Sequence, residues 1–181
     1  MRSTRPIALA ACVAATLLLT SCAGGDGDDD NTATGTDDGA TTTAACKVDE
    51  VGVDVAASPA PAAGDTGTVT VSLTGQGAEC VLEGFPQVTL TAAGTAEELS
   101  PDEGASEQRL TLAEGTTAAF TVTYVRGEDG GDGGLAVQKA RFALPGADTT
   151  RDVDWSYGAV AAKADGSGPD ATVSAFQQAG D

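Results

Sequence analysis

The feature that most constrains this chain is a period-two alternation that recurs from residue 51 to residue 157. Val51, Val53 and Val55 alternate with Gly52 and Asp54, and Val69, Val71 and Leu73 alternate with Thr70 and Ser72. Val88 and Leu90 flank Thr89, Leu110 and Leu112 flank Thr111, and Phe120, Val122 and Tyr124 alternate with threonines. Ala140, Phe142 and Leu144 follow, then Val153, Trp155 and Tyr157. Successive side chains of an extended strand point to opposite faces, so each segment predicts a strand with one buried and one wet side. β-branched residues support this, because they fit a pleated, half-buried surface. Gly, Pro and Asp fill the gaps: 59–67, 75–77, 94, 115, 127–134 and 145–148. About seven or eight short strands separated by such turns predict an all-β antiparallel β-sandwich of about 120 residues.

The material for its core is unusual. Only seven aromatic residues are present, and the single Ile, Ile7, lies outside the alternating region. Val, Leu and Ala must therefore do most of the packing. No amphipathic pattern long enough for a substantial helix occurs. Ser100-Pro101-Asp102-Glu103 has the form of a capping box with Pro at the first helical position, which predicts one helical turn there.

The N-terminus carries a different signal. Arg2 and Arg5 precede an apolar run from Ile7 to Leu19. Its 13 residues would reach only about 20 Å as a helix, against a hydrocarbon core of about 30 Å, so it fits a secretion signal better than a span. The run ends in Leu19-Thr20-Ser21-Cys22, which has the form of a lipobox. Residues 1–21 are expected to be a lipoprotein signal peptide, and Cys22 to carry a covalent diacylglycerol. That anchor would hold the chain on the outer face of the cytoplasmic membrane, since each buried CH₂ contributes about 0.8 kcal/mol. Residues 23–45 contain only Ala, Gly, Asp, Thr and one Asn, with six aspartates. Nothing there can bury apolar surface, so 22–45 is expected to be a lipidated, disordered tether. Of four cysteines, Cys12 leaves with the signal and Cys22 takes lipid. Cys46 and Cys80 remain, and export predicts a disulfide between them.

Charge and absent residues narrow the chemistry. There are 9 basic and 27 acidic residues, a formal charge of −18, and loss of Arg2 and Arg5 takes the mature chain to about −20. Such a surface repels nucleic acid, so no nucleic-acid partner is expected. There is no His, which excludes Ser-His-Asp and Cys-His catalysis and imidazole metal ligation. No phosphate-binding glycine loop and no Ser-x-x-Lys motif occur. Carboxylates remain, in the pairs Glu97-Glu98 and Asp102-Glu103 and in the loop holding Glu128, Asp129 and Asp132. A pair held about 5–10 Å apart across a cleft could hydrolyse a glycoside. The loop 127–134 could gather Ca²⁺ on three carboxylates and backbone carbonyls. In so acidic a chain, solvated surface is the simpler expectation for both. No catalytic residue and no cofactor beyond the lipid is expected.

At Cys80 the sequence resembles a known family. Gly77-Ala-Glu-Cys80-Val-Leu82-Glu-Gly84-Phe85-Pro86-Gln-Val88-Thr-Leu90, followed by Gly94, resembles the C-x-L-x-G-x-P-x-V-x-L…G core of the domain of unknown function 4232. Cys46 at the domain start and the stretch from Leu112 to Tyr124 fit the same pattern. Two features depart from it: Thr74-Gly75-Gln76-Gly77 lacks the Asn many members have before the motif Cys, and a second, late Cys pair is missing. The resemblance implies an immunoglobulin-like sandwich of exported proteins and lipoproteins of high-GC Gram-positive bacteria, with no established activity. In the motif itself, Cys80 is expected to tie the second strand to the domain start, and Gly84 and Pro86 to shape a bend into the Val88–Leu90 strand. The sandwich is expected over 46–165, with a C-terminal segment over 166–181. The function expected is that of a non-catalytic surface module contacting an envelope protein or a cell-wall component. A carboxylate-based glycan hydrolase or a Ca²⁺-binding surface protein is the alternative.

Overall fold

The structure, a computed structural model, describes residues 43–130 and 133–179. The signal segment, Cys22 and nearly all of the tether lie outside the described residues. Among the described residues the fold is all-β, with fourteen short strands and no helix. They are β1 (Val51–Ser58), β2 (Thr66–Gly75), β3 (Cys80–Gly84), β4 (Gln87–Ala92), β5 (Thr95–Glu98), β6 (Ser100–Pro101) and β7 (Gln108–Leu112). There follow β8 (Thr117–Val125), β9 (Gly134–Leu135), β10 (Val137–Ala143), β11 (Thr150–Asp154), β12 (Val160–Ala161), β13 (Ala171–Val173) and β14 (Gln177–Gln178).

The larger sheet runs β1-β2-β8-β13-β6, with β14 also pairing β8. Its centre is long and regular. β1 and β2 pair antiparallel from Val51↔Gly75 to Ser58↔Thr68, and β2 and β8 from Thr66↔Val125 to Thr74↔Thr117. A second sheet runs β11-β10-β4-β5, and the pairs β3–β7 and β9–β12 complete the fold. Between strands the pairing is antiparallel except where β6 lies parallel to β13, and the isolated bridges Ala45↔Val81 and Gly75↔Glu114 are parallel.

The alternation decides which face is buried. Val69, Val71 and Leu73 of β2 and Phe120, Val122 and Tyr124 of β8 are buried, and the threonines and Ser72 between them are half-buried on the opposite face. There Thr70 and Thr121 join hydroxyl to hydroxyl at 3.2 Å, and Thr74 and Thr117 at 3.1 Å. The second sheet contributes Val88, Leu90 and Phe142 to the same core. The few aromatics are concentrated at the centre. Phe120 of β8 packs edge-to-face with Phe142 of β10 at 5.6 Å and with Phe176 at 5.8 Å. Tyr124, Trp155 and Tyr157 form a second edge-to-face chain at 5.0 and 4.9 Å. Trp155, the bulkiest side chain, is buried.

Three expectations need correction. The sandwich does not end at residue 165: β13 and β14 pair with β8 in the larger sheet, and Ala171, Val173 and Phe176 are buried in the core. The seven alternating segments all contain strands, but the strand number exceeds seven or eight because many added strands are only two or three residues long. The helical turn predicted at Ser100-Pro101-Asp102-Glu103 does not form. Ser100 and Pro101 instead extend as β6 beside β13, and Ala105 N–H donates to Asp102 O at 3.1 Å to close a turn. The capping box is followed by Gly104-Ala105-Ser106-Glu107, which offers no apolar face for a helix to bury.

Candidate functional site

The domain start lies along the edge of β3 that β7 leaves free. Cys46 N–H donates to Val81 O at 3.0 Å, and Val81 N–H donates to Ala44 O at 2.9 Å. This places Cys46 beside Cys80, the first residue of β3. The two form a disulfide with Cα atoms 4.9 Å apart, spanning 34 residues. Cys46 is fully buried and Cys80 half-buried. Two residues of the motif have clear physical roles. Gly84 ends β3 at φ +97°, a conformation that L side chains rarely adopt, and Pro86 is buried in the bend into β4. The bend is thus a scaffold element.

The carboxylate pairs do not converge. Glu97 and Glu98 are successive residues of β5 and project to opposite faces. Asp102 is half-buried at the end of β6, and Glu103 is exposed in the following turn. In the acidic loop, Glu128 and Asp129 are exposed, and Asp129 accepts from the Arg126 guanidinium at 3.1 Å. Asp132 lies outside the described residues. Among the described residues no three acidic or cysteine side chains are grouped to hold a metal ion. Elsewhere, Asp152 of β11 is held below the usual carboxylate range, first by its hydrogen bond from Arg141 of β10 at 2.6 Å. Glu83 and Arg109 pair across β3 and β7. These are exposed cross-strand pairs and account for their acids as surface chemistry.

What sequence reasoning missed is an apolar crease between the two larger sheets. Its walls come from β1, β2 and β8 on one side and from β4, β10 and β11 on the other, with Trp155 and Tyr157 beside β11. Free space inside is only about 20 Å³, so no small molecule fits. Burial lapses toward its mouth. Val51 is buried, Val53 and Val55 are half-buried, and Ala57 is exposed, while Val153 and Tyr157 opposite are half-buried. Alternation identifies which face of a strand is apolar, but not that two edge strands would stand on the same side of the core.

Behind the crease the aromatic chain is tied to the backbone. Tyr124 donates to Tyr157 O at 2.7 Å, and Trp155 Nε1 donates to Gly158 O at 2.8 Å. Arg126 donates to Ala60 O at 3.0 Å, holding the β1–β2 connection against the same cluster.

Residues 46–177 match the profile of the domain of unknown function (DUF4232), a span that includes the disulfide, the motif bend and every strand from β1 to β13. No curated protein and no solved structure matches the chain. The match covers well over half of the 181 residues and contains the motif that begins at Cys80, so the chain belongs to the DUF4232 family.

Proposed function

We propose that this protein is a lipid-anchored module of the cell envelope, joined to the outer face of the cytoplasmic membrane through Cys22 and active by contact rather than catalysis. The observation that carries the proposal is the division of its cysteines. Cys12 sits within the apolar N-terminal run, Cys22 closes a lipobox, and Cys46 and Cys80 are joined to each other. A disulfide in a small domain fits an oxidising compartment, and the lipobox specifies how the chain is retained there.

The fold in this proposal is an immunoglobulin-like sandwich. Its support is a single core shared by the two larger sheets and a buried Trp packed against Tyr124 of the opposite layer. On such a frame the acidic segment ahead of Ala44 is a tether that lifts the module clear of the headgroups, and the partner is an envelope protein or a cell-wall component. No cofactor takes part beyond the diacylglycerol.

Intact cells treated with a membrane-impermeant protease test the display. The domain should be shaved from the surface, leaving the rest of the cell's contents intact. Protection until the membrane is broken would overturn the proposal. Incubation of the purified protein with cell-wall glycan tests the contact role, and release of soluble sugar would replace it with the hydrolase alternative.

A further inference from the structure

Free sheet edges invite pairing with another chain, and proteins ordinarily blunt them with charge, Pro, bulges or brevity. Three of the outer edges in the two larger sheets are blunted in this way. β5 is four residues long with Glu97 and Glu98, β6 is two residues long and contains Pro101, and β11 carries Arg151, Asp152 and Asp154. β1 differs. It is an edge strand of eight residues, VGVDVAAS, with no Pro and a single charge, Asp54, in unbroken register with β2. It also borders the mouth of the apolar crease, where Val55, Val153 and Tyr157 are left half-buried.

We propose that β1 is a docking edge for an extended strand from a basic envelope partner, which pairs with the β1 backbone and lays alternate apolar side chains over the crease. The inference rests on the contact function proposed above and names the chemistry of its partner. A crease of about 20 Å³ is too small to be filled but can be covered, and a strand in register with β1 directs every second side chain toward it. Charge selects the partner. The chain has a formal charge of −18, and Asp54 stands exposed on β1 with no ion-pair partner among the described residues. A second copy would bring a like-charged β1 and the same net charge. The segment 23–45 brings six aspartates and no apolar side chain larger than Ala. A strand alternating apolar and basic residues satisfies both the crease and Asp54.

The test titrates the full chain with a synthetic peptide alternating Val and Lys, and follows backbone amide hydrogen exchange. A peptide of the same composition with its lysines at one end and its valines at the other controls for bulk attraction to an acidic protein. The alternating peptide should slow exchange along β1, and the block peptide should not. Asp54→Lys, at an exposed position that leaves the fold intact, should weaken binding of the alternating peptide about fivefold. Slowed exchange only on other strands, equal protection of β1 by both peptides, or no protection at millimolar peptide would each overturn the proposal. So would a dimer of the chain paired through β1, which would give the edge to a second copy. If β1 is not protected while the surface shaving succeeds, the docking edge alone fails. If the shaving fails as well, the contact function falls with it.

Discussion

At the scale of single residues, the packing around Tyr124 sets the tolerance of the fold. Gly67 of β2 lies against it so closely that a Cβ there would stand 2.7 Å from the ring and 2.7 Å from Ala60 N. Neither neighbour is free to retreat, because the Tyr124 hydroxyl donates to Tyr157 O and the Ala60 carbonyl accepts from Arg126. Gly67→Ala should therefore destabilise the protein by about 1–3 kcal/mol, as overpacking of a closed core does. A denaturant melt measures it, and an unchanged midpoint would mean that the cluster is loose. Nothing in the sequence singles out Gly67 among 24 glycines, since its role depends on an aromatic ring 57 positions away. Gly84 was legible, because the motif around it already implied a bend before the next strand.

Among the elements, legibility followed length. Every segment with three or more alternating apolar positions contains a strand, since a buried face on each imposes the period. The two-residue strands β6, β9, β12 and β14 carry no period at all, and partners distant in sequence determine them. β3 escaped for another reason. Val81 and Leu82 are adjacent and both buried, Leu82 in the core and Val81 on the opposite face near Ala45, Pro145 and Gly146. The Cys46–Cys80 bridge fixes residues 44–46 along the edge of the strand. Reduction should lower stability by roughly 2–5 kcal/mol, chiefly by freeing the unfolded chain, and melts of the full chain with and without reductant would show it. An unchanged midpoint after complete reduction would assign the domain start to its hydrogen bonds alone. The acidic loop invites a second comparison. With Asp129 committed to Arg126, millimolar Ca²⁺ should leave the melting temperature where it is, whereas ligand binding to the native state would raise it. A rise abolished by Glu128→Ser, Asp129→Ser and Asp132→Ser together would establish a cation site.

On the scale of the whole molecule, composition and architecture serve the same end. A domain with seven aromatics places six of them in two edge-to-face clusters, five buried in the core and Tyr157 at its margin, and leaves a strongly acidic surface outside. A surface of that sign repels other anionic material, while the uncharged stretches of β1 form the one long edge of the larger sheets among the described residues that is neither short nor interrupted by Pro. The fold class was legible because alternation is a local property. The crease was not, because it depends on how two sheets close around a core. The proposed membrane anchor depends on a single atom, the Cys22 sulfur. The decisive measurement is the intact mass of the protein extracted from membranes, beside that of Cys22→Ser. The native chain should begin at Cys22 and carry the added mass of its acyl groups, and the variant should retain residues 1–21 without lipid. A native chain that begins at Cys22 with no added mass, or that remains whole from Met1 in the soluble fraction, would contradict a lipid-anchored envelope module.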